Sequence, residues 1–223
     1  MIRLGLIGIS EGNGHPYSWS AIINGYDKKL MFDCGFPVIP QYLSAHKFPE
    51  ESIKSLSVTH IWTQNLETSQ QISKTTFIPN VVKNFQDMIG LVDGILLARD
   101  DAENHLEISL PFLKAGIPIF IDKPLAYSVE EAKNIFLLQK NEDQIFSCSA
   151  FKYAKEVELL KSEIGVLGDI KLIKTTVPKD WKKYSIHGIN PVFSLFPKLG
   201  KISKNIVWKS QDRVTLIVEF SNG

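Results

Sequence analysis

The chain has 223 residues, 44% hydrophobic and 22% charged, a composition that predicts a water-soluble globular protein of one large or two small domains. With 25 Lys and Arg against 24 Asp and Glu, the formal charge of +1 provides no cationic excess to displace counterions from phosphates, so no nucleic-acid partner is expected. The two cysteines, Cys34 and Cys148, form no C-x-x-C pair; they suit a reducing, cytoplasmic location and argue against a disulfide framework or structural zinc.

The first apolar run, residues 4–9, is too short for a secretory leader and ends in Ser10-Glu11-Gly12-Asn13-Gly14, so it reads as a buried strand. No apolar stretch approaches the roughly 20 residues of a bilayer span, and no membrane partner is expected. Strands are predicted at residues 2–8, 58–62, 80–82, 94–98, 117–121 and 145–149. Helices are predicted between them at 17–24, 67–75, 102–115 and 129–139, the last opened by a capping box of Ser128 and Glu131. This alternation predicts an α/β fold, a doubly wound parallel sheet of the Rossmann type, over residues 1–150. Residues 25–55, with Pro37, Pro40 and Pro49 and no clear period, read as an insertion that is either a functional lid or a packed elaboration.

Beyond residue 150 the pattern changes to a helix at 153–164, a strand at 169–177, a loop, a helix near 191–196, and strands at 205–209 and 213–220. This predicts a second, smaller α+β domain over residues 151–223. In the last strand Val214, Leu216, Val218 and Phe220 share one face, and about 73 residues offer few helices to cover it. The final Asn222-Gly223 pair normally turns a hairpin, so either the domain is cut short or a partner subunit, most simply in a dimer, covers the sheet.

Chemistry is expected where strands of an open α/β sheet end. The first strand runs into Gly8-Ile9-Ser10-Glu11-Gly12-Asn13-Gly14-His15-Pro16, an imperfect G-x-G-x-x-G in which Ser10 replaces the second glycine. Such a turn lets amides at a helix N-terminus approach a pyrophosphate, and Gly8, Ser10, Gly12 and Asn13 are the candidate contacts. After the second strand, where an acid usually holds the ribose, stand Thr63, Gln64 and Asn65, which leaves the choice of NAD or NADP open. The fourth strand delivers Ala98, Arg99, Asp100 and Asp101, with His105 one helical turn later. That spacing suits either helix capping or, with a metal, a hydrolase site, but no second cluster completes a coordination shell. The next crossover ends in Asp122-Lys123-Pro124, where Pro124 restricts the chain and aims Lys123 as a candidate proton shuttle.

The Gly-rich turn, then Asp101-Ala102-Glu103-Asn104-His105, then Ala115-Gly116-Ile117-Pro118 leading to Asp122-Lys123-Pro124-Leu125-Ala126, resembles the glucose-fructose oxidoreductase, inositol dehydrogenase and rhizopine-catabolism (Gfo/Idh/MocA) family. The segment Ile164 to Ile170 resembles the turn that enters the family's second domain. Members usually carry Glu-Lys-Pro where this chain has Asp122-Lys123-Pro124, and they pair a Rossmann domain with an α+β domain whose open sheet commonly mediates oligomerisation. The resemblance implies an NAD(P)-dependent oxidoreductase acting on a sugar, cyclitol or nucleotide-sugar hydroxyl. Lys123 and His187 would be its acid/base pair, assisted by Tyr184 or Asp180. It also implies cofactor contacts from Gly8, Ser10, Gly12, Asn13, Thr63, Ala98, Arg99, Asp100, His105, Asp122, Lys123 and Pro124, no metal, a sugar-like substrate and a homo-oligomer. The family places an aspartate four residues before the catalytic histidine; here that position is Lys183. The principal alternative is a nucleotide-binding protein of the same fold without turnover, followed by the metal-dependent hydrolase.

Overall fold

The computed structural model describes residues 1–48 and 50–221; Pro49 and the Asn222-Gly223 pair lie outside them. By its internal contacts the chain divides into two units, Met1–Ser147 and Cys148–Gly223. In the first unit the order is β1 (Ile2–Ile7), α1 (His15–Asn24), α2 (Lys28–Phe32), α3 (Val38–Ser44), β2 (Leu56–Trp62), α4 (Leu66–Thr75) and β3 (Asn80–Val81), then β4 (Gly94–Leu97), α5 (His105–Ala115), β5 (Ile119–Ile121), α6 (Val129–Phe136) and β6 (Ile145–Phe146). The six strands form one parallel sheet in the order β3-β2-β1-β4-β5-β6, a Rossmann-type α/β fold.

β1 lies in the middle of the sheet with both faces covered, which is why it reads as a continuous apolar run. Leu4 and Leu6 join one core cluster with Tyr17, Ala21, Met31, Leu43 and Ile72. Ile7 joins the other with Ile95, Phe112, Leu113, Ile121 and Ile135. The sheet order reverses between β1 and β4, so Ile7 and Leu97 end side by side at the crevice where such sheets bind ligands.

Described residues of the segment 25–55 pack into the core through Met31, Cys34, Ile39 and Leu43. The segment's helices α2 and α3 are five and seven residues long, too short to display a helical period in the sequence. Asp27 caps α2 by accepting from the amides of Lys29 and Leu30, and Met31 and Leu43 are fully buried. Burying each such side chain contributes about 1.5–3 kcal/mol.

Several predicted boundaries shift for identifiable reasons. The helix expected at 102–115 splits into a 3-10 turn, Ala102–Asn104, and α5. β5 starts at Ile119, because the Ile117 amide closes the end of α5 on the Phe112 carbonyl and Pro118 has no N–H for the ladder. β6 stops at Phe146, and the chain turns away to a 3-10 turn capped by Ser149.

The second unit contains α7 (Lys155–Glu163), α8 (Trp181–Leu195) and an antiparallel hairpin of β7 (Ile202–Lys209) and β8 (Val214–Phe220). The strand expected at 169–177 does not form: among the described residues nothing pairs with it, and Leu172 is 84% exposed. The short helix expected near 191–196 is instead the end of α8, which runs through Pro191. Proline there removes the N–H that would have bonded the His187 carbonyl and crowds that carbonyl with its ring. Gly188 lets α8 approach the 175–177 stretch closely, since a Cβ on it would sit 2.8 Å from Thr175 Oγ1. Among the described residues no helix is long and apolar enough to cross a membrane.

Candidate functional site

The turn between β1 and α1 is shaped by three glycines with three different reasons. A Cβ on Gly8 would lie 2.4 Å from Pro16 Cγ, so the start of α1 closes onto the strand only with glycine there. A Cβ on Gly14 would lie 2.6 Å from Ile39 Cδ1 and 2.8 Å from Phe36 Cγ; the insertion packs under the turn and supports it. Gly12 has φ +73°, a left-handed conformation, and apart from its chain neighbours no described residue has an atom within 4 Å of where its Cβ would be. The turn therefore presents bare backbone to open space at Gly12. Among the described residues the amides of Ser10, Glu11, Gly12 and Gly14 have no protein acceptor, although Ser10 and Gly14 are buried. Buried amides are nearly always paired, so this cluster of donors at the N-terminus of α1 fits an external anion such as a pyrophosphate.

Side chains brought from β4 and β5 hold the turn. Ser10 Oγ donates to Asp100 Oδ1 at 2.7 Å and accepts from the Asp100 amide at 3.1 Å. Asp122, 1% exposed, accepts from Asn13 Nδ2 at 2.9 Å and from the Lys123 amide at 2.8 Å, and it also pairs with His15 Nδ1. The Asn13 Oδ1 atom in turn accepts from the His15 amide at 2.8 Å. Lys123, 6% exposed, reaches Asp100 Oδ2 at 3.8 Å, and a cis peptide bond joins it to the buried Pro124. Gly8, Ser10, Gly12, Asn13, Asp100, Asp122, Lys123 and Pro124 are thus brought to one place, with the Ala98 carbonyl 3.6 Å from the position of a Gly8 Cβ.

Three further expected contacts are engaged with protein groups. His105 is fully buried, with Nδ1 3.0 Å from the Leu125 carbonyl and Nε2 2.9 Å from the Arg99 carbonyl, so it clasps two chain segments and has no surface for a cofactor. Thr63 is 4% exposed, and its hydroxyl is committed to the Asn65 carbonyl at 2.6 Å and Ser69 Oγ at 2.8 Å, ordering the start of α4. Arg99 pairs with Asp101 and with Gln64 Oε1 at 3.1 Å. Burial pushes the Asp101 carboxyl up, but hydrogen bonds from Arg99 and Asn104 and the Arg99 charge outweigh it and hold it below the usual range. Asp100, Asp101 and His105 therefore point to different partners and do not converge as a metal-ligand set.

Two further residues hold the turn. The side chain of Gln64 accepts from the Ile9 amide at 3.1 Å and donates to its carbonyl at 2.6 Å, bracing the turn from the end of β2. His15 stacks on Trp19 at 4.9 Å while paired with Asp122. Position after a strand and adjacency to Pro16 were the only signals available for them. A hollow of about 640 Å³ lined by Tyr26, Lys28, His46 and Phe48 lies at the other end of α1 and contains none of these groups.

In the second unit, His187 on α8 lies with Nδ1 2.7 Å from Ser149 Oγ, its ring 5.5 Å from those of Phe151 and Tyr184. The Tyr184 hydroxyl accepts from Lys179 Nζ at 3.0 Å. Asp180 is the N-cap of α8, accepting from the Lys183 amide at 3.0 Å, a structural use of the carboxylate expected to assist catalysis.

Residues 39–149 match the model of the Gfo/Idh/MocA oxidoreductase family, NAD-binding Rossmann fold. The chain belongs to the Gfo/Idh/MocA family. The match includes Asp100, Asp122, Lys123 and Pro124 and begins after the glycine turn. Among solved structures it resembles scyllo-inositol dehydrogenase from Lactobacillus casei with bound NAD(H) and scyllo-inositol, at TM-score 0.67 and 13% identity over 100% of this chain and 67% of that one. It also resembles biliverdin reductase from Synechocystis sp. PCC 6803 in complex with biliverdin and NADP+, at TM-score 0.63 and 13% identity over 100% and 69%. Myo-inositol 2-dehydrogenase from Lactobacillus plantarum aligns at TM-score 0.53 and 15% identity over 76% and 43%. These likenesses establish the shared fold, and the chain spans from under half to about two thirds of the length of those proteins. No curated protein matches the sequence.

Proposed function

We propose that the protein is an NAD(P)-dependent oxidoreductase that moves a hydride between a nicotinamide cofactor and a sugar, cyclitol or nucleotide-sugar hydroxyl. The observation that carries this reading is the cluster of unpaired amides around Gly12, whose open side can accept a pyrophosphate. The cofactor supplies the hydride chemistry when bound. Ser10, Asn13 and Asp122 hold the turn in shape, and Lys123, buried at the end of β5, exchanges the proton of the substrate oxygen. By the family resemblance His187 and Tyr184 are the further candidates for proton handling. The inositol named for one structural neighbour supports a polyhydroxylated substrate, and neighbours with NAD(H) and with NADP+ support either cofactor. Free Cys34 and Cys148 suit a cytoplasmic protein.

One observation favours a nucleotide-binding protein without turnover: the family's aspartate position before His187 is Lys183, and Ser149 instead contacts the imidazole. Calorimetric titration with NADH and NADPH separates the readings from any other use of the fold. Saturable binding of either is expected; no binding of either at millimolar cofactor would overturn both. Turnover with a panel of sugars and cyclitols then divides enzyme from binder.

We further propose self-association through the hairpin. All of β7 is exposed, including Ile206, Val207 and Trp208 at about half their full surface, and such an apolar edge is normally paired or covered. Light scattering should show a dimer or larger species; a strictly monomeric 25.1 kDa species at tens of micromolar concentration would refute it.

A further inference from the structure

The contact between Ser149 and His187 fixes more than the position of a ring. Ser149 is fully buried, and its hydroxyl has two partners among the described residues: the Phe151 amide, which donates to Oγ at 3.2 Å, and His187 Nδ1 at 2.7 Å. A serine hydroxyl has one hydrogen to donate and two lone pairs to offer. The Phe151 N–H occupies one lone pair, so the hydrogen needs an acceptor, and among the described residues the acceptor in reach is Nδ1. Were Nδ1 protonated instead, it would donate to Oγ and leave a buried O–H with no acceptor, a costly arrangement. Asn190, three residues along α8 from His187, holds the same serine by accepting its amide at 3.1 Å, so Ser149 and the ring are fixed from one helix face.

Which ring nitrogen of a neutral histidine carries the proton is set by the hydrogen bond the other nitrogen makes. A carboxylate at Nδ1 accepts the Nδ1 proton and leaves Nε2 as a lone-pair acceptor, a base. A hydroxyl that must donate does the reverse. We infer that Ser149 is a positioning residue that locks neutral His187 in the Nε2–H form, so that His187 meets the substrate oxygen as a hydrogen-bond donor and not as a base. A neutral imidazole used this way polarises a carbonyl. In the oxidising direction His187 then steadies the oxygen but cannot take its proton, which leaves through another group.

The catalytic consequence rests on the oxidoreductase reading, but the tautomer does not, and it can be measured on the protein without cofactor. Long-range proton–nitrogen NMR correlations of the uniformly 15N-labelled full chain, with His187 assigned through the backbone and at a pH where the ring is neutral, separate pyridine-type from pyrrole-type nitrogens. The expected result is pyridine-type Nδ1 and pyrrole-type Nε2 in a single form. Ser149→Ala should give averaged shifts from exchanging tautomers, and Ser149→Thr, which keeps the hydroxyl, should restore the single form. A protonated Nδ1 in the unmodified protein overturns the proposal whether or not the variants fold. An Ala variant that folds with an unchanged His187 spectrum overturns the role of Ser149. Failure of the cofactor titration, by contrast, would leave the tautomer in place and remove only its catalytic meaning.

Discussion

Gly8 and Gly12 belong to one motif, yet the structure predicts that their alanine variants fail in different ways. At Gly12 the added carbon meets, apart from its chain neighbours, no atom of a described residue within 4 Å, so the cost to folding is the left-handed backbone at φ +73°, about 1–2 kcal/mol for a residue with a Cβ. At Gly8 the added carbon would be 2.4 Å from Pro16 Cγ, in a rigid ring at the first turn of α1. The strand or the helix must shift, and overpacking of this kind costs about 1–3 kcal/mol. Because no protein atom is crowded at Gly12, any loss of nucleotide affinity beyond that from strain reports the ligand itself approaching the bare backbone. Gly12→Ala should therefore bind NADH or NADPH at least tenfold more weakly, equivalent to about 1.4 kcal/mol, while remaining folded. Urea unfolding by circular dichroism measures the first quantity and isothermal calorimetry the second. A Gly12→Ala protein that binds dinucleotide as well as the parent would refute the placement of the pyrophosphate on this turn.

Replacing Lys123 with Met should lower turnover on any active substrate by about 10² or more with cofactor affinity within a few fold; equal kcat would remove Lys123 from the mechanism. Asp122→Ala leaves the buried Asn13 side-chain amide and the buried Lys123 main-chain N–H without an acceptor, at about 1–3 kcal/mol each, so a loss of about 2–6 kcal/mol is expected in urea unfolding. A loss under about 1 kcal/mol would show that the carboxylate does not hold the turn. Because the folded-state pKa of Asp101 is depressed, its contribution is complete above the ordinary carboxylate value of about 3.9 and lost as pH falls through the lower folded value. Asp101→Asn should accordingly flatten the acid limb of the stability curve below about pH 4, and parallel limbs in parent and variant would refute the pairing.

The parallel sheet was legible because buried central strands impose an unambiguous pattern: apolar runs such as Leu4 to Ile7, punctuated by Gly116 and Pro118, admit few other structures. What the sequence hid was short or unpaired. Five residues of α2 cannot reveal a period, and their role rests on a single buried side chain, Met31. Residues 169–177 look like a strand by composition, but a strand exists only through its neighbour, and none is present among the described residues. Pro191 suggested a helix start because proline suits that position, whereas α8 accommodates it at the loss of one hydrogen bond. At the site, the glycines and Asp122-Lys123-Pro124 were readable by motif, but His105 shows the limit of that reading. Its place in the resemblance says nothing about which carbonyls surround it, and burial decided its role.

The departures from the family pattern compensate one another. With Ser10 where the motif has its second glycine, the turn has a hydroxyl that both donates to and accepts from Asp100, and the other Asp100 oxygen meets Lys123. With Asp122 where relatives usually have glutamate, the carboxylate lies one methylene closer to its own backbone, where it accepts from the next amide and from Asn13 and pairs with His15. Asn13 and His15 lie on the chain that carries the open amides, so two carboxylates at the ends of β4 and β5 tie that turn to Lys123. In the motif, close backbone packing between glycines provides that rigidity; here side-chain hydrogen bonds take over part of the task. Restoring glycine at position 10 would remove the hydroxyl from between the turn and Asp100 and free the Asp100 carboxylate beside Lys123, so in this chain the motif's residue is the one less suited to the site.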